Sequence, residues 1–103
     1  MYKKCALIID LQDHSEELQS VYSGEVYIIG KTYIEKVKEN HQGGYYAYDT
    51  IIEALDAIFP DDSQNTEAEK IIVKVEMWGK SIEYGNGKKA FTYMKLIETI
   101  SKI

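Results

Sequence analysis

The segment KIIVKVEMW, residues 70–78, constrains this chain more than any other. Ile71, Val73, Val75 and Met77 share one parity and Ile72, Lys74 and Glu76 the other, the period of a strand with one side toward a core. Such a strand needs partners. Lys4 to Leu11 is a short apolar run containing Ile8 and Ile9, and predicts a first strand in a central position, buried on both faces. Gly79 is expected to end the 70–78 strand, after which SIEY (81–84), a GNG turn (85–87) and AFTYMKLI (90–97) continue as a meander. The C-terminus fits two patterns, because Tyr93, Leu96, Ile97, Ile100 and Ile103 also fall on one helical face; we read strand through about Leu96, then a short tail.

Two helices are expected beside this sheet. In DHSEELQSVYSG (13–24), Asp13 and Glu16 have capping-box spacing, Leu18, Val21 and Tyr22 share a face, and Gly24 is a stop. In the second, Asp49 or Thr50 caps, Thr50 and Glu53 repeat that spacing, and Ile51, Ile52, Leu55, Ile58 and Phe59 form a stripe before Pro60. Residues 25–38 are β-formers, with Gly30-Lys31 either the centre of a type II′ turn between VYII and TYIEKV or a bulge in one long strand. NHQGG then turns, and YYAYD is a short strand with Tyr46 and Tyr48 on one face and Ala47 opposite. The expected class is therefore α+β: one domain over residues 1–103, a small, mainly antiparallel sheet with a short helix after strand 1 and another at about 49–59.

Composition narrows the function classes. The longest apolar run, Cys5 to Ile9, is far below the roughly 18 residues of a membrane span, so no membrane partner is expected. Two lysines precede that run as in a signal peptide, but it ends at Asp10 without a small-residue cleavage site, so a cytoplasmic location is expected. The single cysteine, Cys5, has apolar neighbours and reads as a buried, inert thiol. All 12 basic residues are lysine. Without arginine's planar fork, direct sequence-specific reading of nucleic acid is disfavoured. The net charge of −5 is unevenly spread: Glu39, Asp49, Glu53, Asp56, Asp61, Asp62, Glu67 and Glu69 occupy a stretch with no lysine, an acidic face suited to a basic partner.

The Gly-Lys-Thr at residues 30–32 suggests a P-loop, but five residues separate Gly24 from Gly30 where that loop has four, and EVYII is a strand sequence rather than a phosphate cradle. His14 with Asp10, Asp13, Glu16 and Glu17 offers carboxylates but no zinc set; turn capping explains the cluster, and no metal or cofactor is expected. A triad from His41, Ser81 and an acid has no local signal.

Taken in order, VYIIGKTY, GGYYAYD, IIEALDAIF and KIIVKVEMWGKSIEYGNGKKAFTYMKLIE resemble a small domain of phages and bacteria often found ahead of pentapeptide repeats. Its typical run is Gly-Lys-Thr-Tyr, Gly-Phe-His-Ala, a leucine-bearing helix, a strand ending in glycine and a lysine-containing last strand. The resemblance spans about Val26 to Ile97 and implies a phage or prophage context, with no established activity. This chain has Gly44-Tyr45-Tyr46-Ala47 in place of Gly-Phe-His-Ala, so no histidine role carries over.

Nine tyrosines and one tryptophan exceed what a core of this size needs, and tyrosine is favoured at interfaces. The expected function is a non-catalytic module, monomeric or homodimeric, that binds and modulates or inhibits a host protein, such as a defence or nucleic-acid-binding protein. Its expected contacts are Tyr45, Tyr46 and Tyr48 with Glu53, Asp56, Asp61 and Asp62. The alternatives are a small-molecule or nucleotide binder with a pocket near Gly43-Gly44 and Glu83, or a degenerate ADP-ribosyltransferase-like enzyme.

Overall fold

The alternation centred on residues 70–78 produces the longest strand of the computed structural model, which describes residues 1–103. In chain order the elements are β1 (Tyr2–Ile9), β2 (Glu16–Gln19), β3 (Val26–Tyr27), β4 (Thr32–Ile34), β5 (Val37–Lys38), β6 (Gln42–Gly43), β7 (Tyr45–Ala47), α1 (Ile51–Leu55), β8 (Glu69–Glu83) and β9 (Lys89–Lys102). Strands hold 52% of the residues and helix 5%, so the α+β class with two helices is overturned: this is an antiparallel β protein with one helical turn.

The main sheet runs β3-β2-β1-β8-β9-β4, and β7 also pairs with β9, end to end with β4. It does not stay open. Just beyond β7, Tyr48 exchanges two backbone hydrogen bonds with Tyr2, N–H to carbonyl at 2.7 and 2.9 Å. The circuit β1-β8-β9-β7 thus closes on itself as a small barrel, and the closure is a single bridge wide. Inside lie Cys5, Leu7, Val73, Val75, Met94 and Leu96, with the rings of Tyr27, Tyr33 and Tyr45 packed edge to face at 5.4–6.4 Å. Outside the wall, Ile51 and Ala54 of α1 pack with Tyr2, Tyr48 and Ile72.

Several expectations fail for identifiable reasons. Residues 13–22 are not a helix. Asp10 and Asp13 do cap, but they cap a tight turn, accepting from Gln12 N–H at 2.7 Å and Ser15 N–H at 2.8 Å, and the chain then pairs with the free edge of β1 as β2. A register of four strand pairs with Leu18 facing Leu7 outweighs a helix too short to nucleate. β3 and β4 do not form a hairpin with each other. Lys31 N–H bonds Ile28 O at 3.2 Å around a turn with Gly30 at φ +86°, after which the chain crosses to β9. The second helix keeps its cap, with Thr50 Oγ1 accepting from Glu53 N–H at 3.1 Å, but covers only Ile51–Leu55. Pro60 disfavours helical backbone before it, and Lys4 Nζ takes the freed Ala57 carbonyl at 3.2 Å.

Gly79 bulges β8 rather than ending it. Trp78 faces Tyr93 and Ser81 faces Phe91, so two residues oppose one. Its φ is +86°, and a Cβ there would lie 2.6 Å from the Tyr93 ring. β9 continues past Leu96 to Lys102, with Ile97 and Ile100 as extra residues between the pairs Leu96–Val75, Glu98–Lys74, Thr99–Val73 and Ser101–Ile72. Each bulge moves the inward parity by one, which is why a strand here imitates a helical stripe.

Candidate functional site

Along β1, Met1 exchanges hydrogen bonds with Val75, so odd residues direct their backbone polar groups to β8 and even ones to the opposite edge. On that edge Tyr2 meets Tyr48, and Ala6 meets Gln19 of β2. Lys4, between them, has no strand opposite. The seam opens here into a cleft of about 780 Å³ whose walls include Tyr45, Tyr46 and Tyr48 on one side, Lys3 and Lys4 on another, and Ala57 to Pro60 at the rim.

Lys3 shares the parity of Cys5 and Leu7, so its side chain starts from the inner face. Its Nζ donates to Tyr46 O at 2.7 Å across the seam, in place of the missing ladder. No carboxylate lies within 4 Å of it; the ion pairs at that distance are Lys89 with Asp49 at 2.7 Å and with Glu83 at 3.8 Å. Burial pushes the Lys3 pKa down, against the opposing pull of Cys5, Glu25 and Glu35 at longer range. Glu35 is displaced upward, first by burial and then by the Glu25 charge. Burial pushes the Cys5 thiol up to about 11, so the fully buried sulfur is held neutral.

The sequence-predicted residues scatter around this cleft. Tyr45 and Tyr48 are buried and serve the core; Tyr45 Oη donates to Glu25 Oε2 at 3.4 Å. Tyr46 is half-buried, with Lys88 Nζ 4.7 Å from its ring centroid. Burial, then the neighbouring Tyr84 hydroxyl, pushes its phenol up to about 12. Its buried Oη has no hydrogen-bond partner. The Tyr84 hydroxyl is engaged elsewhere, accepting from His41 N–H at 3.1 Å and donating to Lys38 O at 3.5 Å, while the His41 and Tyr84 rings stack at 3.9 Å. Glu53 is occupied by its cap, its Oε1 accepting from Thr50 Oγ1 at 2.9 Å. Asp56, Asp61 and Asp62 are exposed and outside any ion pair.

The stripe expected to bury α1 does not. Ile51 and Ala54 face inward, whereas Ile52 is 71% exposed and Ile58 88%, with Leu55 beside them. Lys31 of the Gly-Lys-Thr reaches over the Tyr33 ring, 5.2 Å from its centroid, and Glu83 lies at the open end of β8 near Lys89. No three His, Cys, Asp or Glu side chains converge as a metal site would require.

Lys3, Glu25, Glu35 and Lys88 were not anticipated as site residues. The shared parity of Lys3 with Cys5 and Leu7 was the available signal; the other three are assembled by non-local pairing. No family model, curated protein or solved structure matches the chain. No helix is long and apolar enough to cross a membrane.

Proposed function

We propose that this chain is a non-catalytic protein-binding module that docks α1 and the loop after it on a basic surface of another protein and thereby modulates it. One observation carries the reading: Ile52, Leu55 and Ile58 stand exposed on an acidic, lysine-free segment whose Asp56, Asp61 and Asp62 make no ion pair. An apolar centre with a charged rim has the anatomy of a protein interface, and unpaired rim carboxylates speed encounter with a cationic partner. The resemblance to phage-associated domains supports a host protein in the cytoplasm as the target, where carboxylates mimicking phosphate charge would occupy a nucleic-acid-binding surface.

Capture from host lysate tests it, at about 50 mM and about 500 mM salt, with wild type, Ile58→Asp and the double variant Asp61→Lys/Asp62→Lys. A stoichiometric partner held at low salt should be released at high salt and weakened about tenfold or more by each variant. Undiminished capture by both variants would sink the reading.

A further inference from the structure

The cleft at the β1–β7 seam has a chemistry that the α1 surface does not share. Lys3, Lys4 and Lys88 line it against Glu25 and Glu35, leaving one net positive charge on a chain whose total is −5. Lys3 Nζ has one hydrogen bond, to a neutral carbonyl, and no counter-ion within 4 Å. A half-buried ammonium in that state is stabilised by an anion brought to it. Two further polar groups are left over among the lining residues. Tyr46 Oη is buried without a partner, and the Lys4 backbone, turned toward the seam by the alternation of β1, has no strand to pair with. Tyr27, Tyr45, Tyr48 and Phe59 add aromatic surface to walls that otherwise consist of small, polar and aliphatic residues. About 780 Å³ is the size of a small-molecule site.

We propose that the seam is a binding site for a small aromatic monocarboxylic acid, its carboxylate on Lys3 and its ring among the tyrosines. A single negative charge matches the cleft, whereas a polyphosphate would bring its excess charge against Glu25 and Glu35. The proposal rests on Lys3 and the seam rather than on the protein-docking reading, and the two surfaces share Ile58 at the cleft's rim.

The test is amide-detected NMR titration of the full chain with benzoate, phenylacetate, 4-hydroxyphenylacetate and indole-3-acetate, with indole-3-acetamide and ATP as controls. At least one acid should shift the Lys3, Lys4 and Tyr46 amides saturably and bind about tenfold or more tightly than the amide or ATP. Lys3→Met should weaken that acid at least about tenfold while leaving the amide's affinity unchanged. Lys88→Met, which leaves the seam contact intact, should weaken it less and serves if Lys3→Met does not fold. The remote Lys80→Met should change nothing. The proposal is overturned if no acid of the panel shifts these amides, if acid and amide bind alike, if ATP binds there more tightly, or if both Lys3→Met and Lys88→Met leave the acid's affinity unchanged.

Discussion

β8 meets β9 along almost its whole length, whereas β1 and the end of β7 are joined by the one backbone bridge of Tyr2 with Tyr48, though both junctions belong to the same ring of strands. The first junction buries Val73, Val75, Met94 and Leu96 completely or nearly so and leaves little for solvent or ligand to contact. The second leaves backbone groups facing a gap, a lysine bridging it and a phenol without a partner. The contrast teaches where a small β protein keeps its stability and where it keeps its chemistry: a full ladder consumes its polar groups, and an interrupted one holds them available.

The largest expected effect lies in the wall. Leu96→Ala removes a fully buried side chain between Val75 and the inner tyrosines and should cost about 3 kcal/mol in urea unfolding. A cost below about 1 kcal/mol would show that the wall collapses to fill the void, so that the two junctions do not differ in rigidity.

Next comes Cys5, inside the barrel beside the seam. Its folded pKa is raised from 9.0 to about 11, so its stabilising contribution is fully present below pH 9 and is lost as pH climbs toward 11. The stability gap between wild type and Cys5→Ala should narrow by about 2–3 kcal/mol across that window. A gap that stays constant would mean that solvent already reaches the thiol through the seam.

The smallest effect belongs to the seam. Lys3→Met loses one hydrogen bond but also removes a partly desolvated charge, so unfolding free energy should move by no more than about 1 kcal/mol in either direction. A loss above about 3 kcal/mol would make the Lys3–Tyr46 bond a structural staple of the closure and erase the contrast.

Local physics was legible in the sequence wherever it acted alone. The parity of residues 70–78, the Thr50–Glu53 cap and the opposite faces of Tyr46 and Ala47 all reflect interactions within a few residues, and all are present. The misread regions were decided at long range. Residues 13–22 had a helix signal, but β1 offered an open edge, and the short stripe of Leu18, Val21 and Tyr22 could not outweigh it. Tyr45 and Tyr48 were expected at a surface because strand alternation gives opposite faces without saying that both will be covered, one by the barrel interior and one by α1. The cleft was legible only at its Gly43-Gly44 wall, where a pocket was the alternative reading, and not at its centre: Lys3 and Tyr46 are 43 residues apart, and only the rolled sheet brings them to 2.7 Å.

The two surplus residues of β9 carry a last consequence, one of counting. Elsewhere in this strand, dropping one amino acid would turn every later side chain inside out. At Ile97 or Ile100 a deletion leaves each neighbour opposite its present partner on β8 and merely straightens the ribbon. What a shortened β9 would forfeit is coil, and with it the curl that carries Tyr48 round to Tyr2. Part of the curl that closes this barrel is therefore stored in how many residues β9 has, beside the part that the Gly79 bulge of β8 stores in a particular residue.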